Sequence, residues 1–348
     1  MGVRALIDGT GAVGARAARQ LLSSDDVEHL ALFDPDRARS RAVSEAMAQA
    51  DRVVVVDPGP AGDLPADAFA GIDVVVLAGP PGPAAHRHTA ERALEQAVQV
   101  VSTSDDIADV RDLLRMDAEA RERGLSVVVG AGFVPGLSCV LARHAASSFD
   151  QVDEIHVARL GTGGPACARQ HHDALSADAI DWRDGAWAER PGGSGRELCW
   201  FPDPVGGRDC YRAGLPDALL LVPAFSHVQR VTARLAATRR DRMTSWLPML
   251  RRPHPEGTLG ALRVEVRGRR GQARDAAVFG AIDRPALAAG AVAANAAMWA
   301  VSRRFARAGA AGLAELVDDP VPFLRSLAER GVRAAVFEGA GVTDPAMP

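Results

Sequence analysis

Short apolar runs alternate with amphipathic segments through the first 150 residues. Val3, Ala5, Leu6 and Ile7 make the first run, an Ala-rich helical segment follows at 15–22, and a second apolar run at 30–33 closes on Asp34. The pattern then repeats. Helices are predicted at 35–50, 86–97, 107–123 and 137–148, and strands at 53–56, 72–78, 98–101 and 126–129. The strands are continuous Val-rich runs, as expected where helices cover both faces of a sheet. Strands and helices alternating at this cadence predict an α/β fold built on a Rossmann-type, doubly wound parallel sheet with right-handed crossovers.

Beyond Asp150 the texture changes. Residues 152–160 alternate apolar and polar, which predicts a half-buried strand. A long Gly/Pro-rich stretch at 161–216 reads as loops, and 218–238 reads as a short strand or helix followed by an Arg/Ala helix. A strand at 259–268 and a partner at 276–282 come next. Residues 286–305 predict a long helix, apolar nearly all round and so buried between domains. Residues 314–337 complete the chain as a helix and a strand. The nucleotide-binding domain is expected over 1–131, completed by the C-terminal helices of 285–348, with a second domain at 132–284.

The first turn carries the chemistry. Gly9, Thr10, Gly11, Ala12, Val13 and Gly14 stand between a strand and a helix, the order that builds a dinucleotide site. Gly9 permits the tight turn, Gly11 lets the backbone approach a pyrophosphate, and Gly14 lets helix and strand pack closely. Diphosphate then sits on the free amides of the helix N-terminus. Asp34, about twenty residues on, is placed to accept the ribose hydroxyls, which points to NAD. Arg37 and Arg39 lie just beyond and would attract a second phosphate, so NADP stays possible. Asp8 is an acid next to the expected phosphates that the motif does not explain. The ends of later strands complete the expected coenzyme site: Ala78, Gly79 and Pro80, then Ser102, Thr103 and Ser104, then Gly132 and Phe133. The turn running on through Pro81, Gly82 and Pro83 is expected under the coenzyme.

Bulk properties narrow the class. The 348 residues exceed one usual core, and 47% hydrophobic content suffices for two. A net charge of −4 gives no electrostatic footprint for nucleic acid. No apolar run is long enough for a membrane span and no signal-peptide pattern opens the chain, so a cytoplasmic protein is expected. Cys139, Cys167, Cys199 and Cys210 lack paired spacing, so neither disulfides nor a metal site is expected.

On these residues the chain resembles the saccharopine dehydrogenase-like oxidoreductases. The likeness rests on residues 9–14, Val74-Val75-Val76 to Pro80, Val101-Ser102-Thr103-Ser104-Asp105-Asp106 and residues 130–137, and more weakly on 199–206 and 262–268. It implies a Rossmann domain followed by an α+β substrate and dimerisation domain, with the last helices packing back on the first. It also implies NAD(P)-linked redox chemistry at the C–N bond of an amino acid, opine-like secondary amine or imine, usually in a homodimer. Two departures stand near the expected nicotinamide: Val134 and Ser102 replace acids common among the relatives.

Such chemistry needs a group to manage the amine proton and cations to hold carboxylates. Arg169, His171 and His172 supply both in one short stretch, the histidines as alternatives for acid/base and Arg169 as a carboxylate fork. Adjacent histidines rarely point the same way, which argues against a metal there. Arg196, Arg208 and Arg212 are secondary candidates for a carboxylate clamp, and Cys210, between two of them, for a reactive thiol. The basic runs at 239–242 and 251–255 lack interleaved aromatics and read as solvated faces; His254, held between prolines, is a weak candidate for the cleft. The partner expected is a small amino-acid-like molecule, not nucleic acid or membrane. Rival readings are a nucleotide-binding sensor or scaffold without turnover and a non-redox enzyme with tightly held NAD.

Overall fold

The computed structural model of the protein describes residues 2–80, 84, 86–249 and 252–337. The turn residues Pro81, Gly82 and Pro83, Arg251 of the second basic run and the end of the chain from 338 lie outside the described residues.

The chain begins with β1 (Val3–Asp8), α1 (Ala12–Leu22), β2 (Val27–Phe33), α2 (Arg37–Met47) and β3 (Val53–Val55). It continues through β4 (Val74–Leu77), α3 (Arg87–Glu95), β5 (Gln99–Ser102), α4 (Ile107–Leu114), α5 (Asp117–Glu122), β6 (Ser126–Val129) and α6 (Leu137–Ala146). The second region follows as β7 (Gln151–Leu160), α7 (Pro165–Ala174), β8 (Ala179–Arg183), β9 (Ala186–Arg190), β10 (Glu197–Phe201), β11 (Gly206–Arg212) and α8 (Asp217–Leu221). Then come β12 (Arg230–Ala236), α9 (Arg239–Thr244), β13 (Gly260–Arg270) and β14 (Ala273–Asp283). The last elements are α10 (Pro285–Val301), β15 (Gly309–Gly312), α11 (Leu313–Leu316), α12 (Pro320–Glu329) and β16 (Ala334–Phe337).

Seven strands form the first sheet in the order β15-β6-β5-β4-β1-β2-β3, all parallel. The order reverses between β1 and β4, which is where a doubly wound sheet opens its ligand crevice. Val74–Leu77 and Val127–Val129 are fully buried, so these β-branched runs are covered on both faces. The second sheet is mixed, in the order β10-β11-β12-β7-β13-β14-β16, with the β8–β9 hairpin attached to β12. β7 pairs parallel with β12 and antiparallel with β13.

The C-terminal part returns to the first sheet. α10 is apolar around most of its circumference and lies against α1. The approach is close enough that a Cβ on Gly290 would lie 2.7 Å from the backbone nitrogen of Ala17. Its one buried amide, Asn295, donates to the Phe323 carbonyl at 3.3 Å and accepts from Ser326 Oγ at 2.8 Å. β15 adds the seventh strand beside β6, while β16 joins the second sheet beside β14.

Three segments differ from the sequence reading. The stretch at 161–216, read as loops, holds α7 and the strands β8 to β11, because its glycines and prolines sit at element boundaries: Gly164 precedes α7 and Pro165 opens it. The Arg/Ala segment read as a helix is the strand β12; Val231, Ala233 and Leu235 alternate along it, and pairing with β7 overrides the helical preference of Ala and Arg. The single helix expected at 107–123 is broken into α4 and α5 at Arg115 and Met116, where Met116 turns into the core.

Candidate active site

The Gly9–Gly14 turn connects β1 to α1. Gly9 has φ +97°, and a Cβ there would lie 2.3 Å from the Gly79 amide nitrogen. Gly14 is closed to any side chain, since a Cβ would fall 1.8 Å from the Gly9 carbonyl oxygen. Gly11 is different: a Cβ there would meet nothing within 4 Å. Gly11 caps α1 without a side-chain hydrogen bond, and no acid stands in the first turn. The N-terminus of α1 is thus uncapped beside open space at Gly11, which fits a coenzyme diphosphate.

Asp34 is buried at the end of β2 and ties this turn together. Its Oδ2 accepts from the Thr10 amide at 2.9 Å and from Thr10 Oγ1 at 3.1 Å, and Arg39 Nη1 donates to its Oδ1 at 3.0 Å. Arg37 forms an ion pair with Asp57, with Nη2 2.8 Å from Oδ2. Both arginines that would attract a second ribose phosphate are thus engaged by carboxylates. The residues present fit NAD. Asp8 is directed at α3: it accepts from Thr89 Oγ1 at 3.1 Å beside His86, and burial holds its carboxyl above the usual range.

Between the two sheets lies a cavity of about 710 Å³ with its mouth. Val13, Ala78, Gly79, Thr103, Gly132 and Phe133 line its nucleotide side. Arg159 at the end of β7 and Cys167 and His171 on α7 face them from the second region, and Pro285 and Ala289 of α10 close one edge. Ser102 stands behind this surface, fully buried, with its Oγ 2.8 Å from His86 Nδ1 and accepting from the Ser104 amide at 3.2 Å. Pro80 lines an adjoining cavity.

A charged cluster occupies the far wall. Arg159 Nη1 donates to Asp105 Oδ2 at 3.0 Å and to the Val134 carbonyl at 2.6 Å. His171 Nε2 lies 3.6 Å from the same Asp105 oxygen and 3.5 Å from Cys167 Sγ. Burial pushes the Asp105 carboxyl up, but His171 and Arg159 outweigh it and hold it below its ordinary range. Burial likewise opposes the imidazolium of His171, yet Cys167 and Asp105 raise it above its usual value, and His171 in turn lowers the Cys167 thiol. Behind the cluster, Nε and Nη2 of Arg159 and both oxygens of Asp217 are buried with no hydrogen-bond partner. Burial pushes the Asp217 carboxyl up to about 6, against the opposing charge of Arg159.

The neighbouring histidines separate. His171 enters the cavity, whereas His172 points away, its Nε2 2.7 Å from the Leu247 carbonyl oxygen. Arg169 is exposed and lines the adjoining cavity, which shares Ala166 and Gln170 with the first. The secondary candidates stand elsewhere: Arg196 pairs with Asp209 and Arg212 with Asp181, while Cys210 is buried and raised by its contact with Cys199. Arg159 and Asp217 escaped the sequence reading, which names Asp105 and Cys167 without a role in the site. A signal existed for Arg159, which follows Ile155 and Val157 on the buried register of β7. Val134 meets the cluster through its backbone, its carbonyl accepting from Arg159 beside the Asp105 carboxylate.

Among the described residues no helix is long and apolar enough to cross a membrane. Residues 3–131 match the model of an oxidoreductase family with an NAD-binding Rossmann fold. Among solved structures, apo saccharopine dehydrogenase (L-Glu forming) from Saccharomyces cerevisiae is similar over 97% of this chain and 100% of its own, at 14% identity and a TM-score of 0.69. A probable dehydrogenase from Thermotoga maritima is similar over 96% of this chain and 98% of its own, at 11% identity and a TM-score of 0.50. Residues 3–131 are therefore similar to the NAD-binding Rossmann domain of an oxidoreductase family, within a chain similar in fold throughout to the yeast enzyme.

Proposed function

We propose that the protein is an NAD(P)-dependent dehydrogenase or reductase acting at the C–N bond of an amino acid, an opine-like secondary amine or an imine. The observation that carries this reading is the charged cluster of Asp105, Arg159 and His171 on a cavity wall facing the ends of the Rossmann strands. Ligands of doubly wound sheets bind there, outside the carboxyl ends of the strands. The amino-acid class is supported by the motif likeness and by the saccharopine dehydrogenase with the same fold.

When bound, the nicotinamide coenzyme supplies or accepts the hydride. The chain's own residues do the rest. The amides that open α1 hold the diphosphate, and Asp34 braces the turn and meets the ribose hydroxyls. His171 gives or takes the amine proton, and the Asp105 carboxylate, held by Arg159, stabilises its imidazolium form by charge. Arg169 in the adjoining cavity offers its planar fork to a substrate carboxylate.

The test is titration with NADH and NADPH by fluorescence, then a turnover assay across amino acids and 2-oxo acids. Tighter binding of NADH, turnover of at least one substrate, and its loss in His171→Ala are the expected results. Coenzyme binding without turnover across a broad panel would instead favour a nucleotide-responsive sensor.

A further inference from the structure

We propose that Cys167, His171 and Asp105 form a metal site on the cavity wall, suited to Zn²⁺, with one coordination position open toward the substrate. Cys167 and His171 are four residues apart on α7, so one turn of helix brings thiol and imidazole onto the same face. Asp105 arrives from the loop after β5, across the cleft. One ligand atom from each residue lies within 4.8 Å of the other two.

The spacings suit a coordination shell as well as a hydrogen-bonded cluster. Sγ to Nε2 is 3.5 Å and Nε2 to Oδ2 is 3.6 Å. At 3.6 Å the second is too long for a hydrogen bond. Zinc bonds of about 2.3 Å to sulfur and about 2.0–2.1 Å to nitrogen and oxygen, at tetrahedral angles, put S and N about 3.5 Å apart and N and O about 3.3 Å apart. The observed edges are close to those values. Thiolate, imidazole and carboxylate together form a donor set that zinc accepts, and three protein ligands with a fourth position open is the catalytic arrangement. Arg159 Nη1, at 3.0 Å from Asp105 Oδ2, then acts as the outer partner that orients a ligating carboxylate, whose oxygens carry lone pairs enough for both.

This assignment deepens the redox reading and rests on it only for its chemical use. With the ion in place, His171 Nε2 would be a ligand and not the acid/base, and the single open position would take either a water or the reacting imine nitrogen, which the ion would polarise. Binding itself is measured without turnover.

Tag-free protein is stripped with a chelator, dialysed and titrated with Co²⁺, then with Zn²⁺. One Co²⁺ per chain is expected, with thiolate-to-cobalt charge-transfer absorption and the intense visible bands of a tetrahedral site, both removed by Zn²⁺. Cys167→Ser should lose the charge-transfer band, and His171→Ala and Asp105→Asn should each weaken Co²⁺ binding by about 100-fold or more. Cys167→Ala replaces the serine variant should that one fail to fold, and NADH titration of every variant checks that the nucleotide side is intact. A wild-type protein with no saturable Co²⁺ spectrum, or a charge-transfer band that survives removal of Cys167, overturns the site. Loss of NADH binding in wild type would defeat the redox reading instead and leave the metal result standing.

Discussion

On the nucleotide side of the cavity Thr10, Asp34, Ser102 and Thr103 each have a hydrogen-bond partner, and α1 opens on Gly11 with no side-chain cap. Across the cavity, ionisable side chains are buried with part of their capacity unmet: two nitrogens of Arg159 and both oxygens of Asp217. The first wall is a local structure made by one βαβ unit. The second is assembled from β5, β7, α7 and α8, which meet only in the folded chain. A buried charge without full pairing costs stability, so the two walls should respond differently to substitution.

Arg159→Met should give the largest effect. It strands Asp105 and Asp217 without their cation, and a loss of about 3–5 kcal/mol in urea unfolding is expected. NADH binding should survive in the fraction that folds. A loss below about 1 kcal/mol would mean the carboxylates do not depend on Arg159.

Asp217→Asn should act in the opposite direction. Its carboxyl titrates near 6 in the fold against 3.8 for an unburied group, so the unfolded chain releases this proton first. Stability therefore falls as pH rises from about 4 to about 6 and stays lower above that. The amide variant removes this penalty: it should be more stable by up to about 3 kcal/mol near pH 8 and gain nothing below about pH 4. Equal gains at both pH values would break the comparison.

Asp34→Ala tests the first wall. Losing a charged hydrogen-bonding group to the ribose should weaken NADH binding by about 1.5–3 kcal/mol, or roughly 10–100-fold, with a smaller change for NADPH. Direct calorimetry of both coenzymes decides it. The smallest effect belongs to His172→Ala, where loss of the Leu247 carbonyl contact should cost about 0.5–1.5 kcal/mol of stability while turnover stays near wild type. Against an inactive His171→Ala, this separates two adjacent residues of one helix.

The same contrast explains what could be read from the chain alone. Val74–Val76, Val127–Val129 and the Gly9–Gly14 turn are contiguous signals, each interpretable within one strand or turn, and they specify the first sheet and its crevice. The second wall depends on separations that local patterns do not encode. Cys167 and His171 have helical spacing, but Gly161, Gly163, Gly164 and Pro165 just before them read as loop. Asp217 stands at the first position of α8, where an acid is ordinary at a helix N-terminus, and only its complete burial marks it. Asp105 belongs to a recognised motif, yet its partner Arg159 is 54 residues away.

Pro285 and Ala289 close the cavity from α10, and β15 adds the last strand beside β6. A nascent chain that has already made the whole glycine motif still lacks one side of its own binding site. Until the ribosome has delivered α10 and β15, the coenzyme cleft stays unfinished and the valine face of β6 lacks a flanking strand. Folding of the nucleotide half is thereby tied to residues made after the whole second region, and damage near residue 310 should surface as a defect in the half made first.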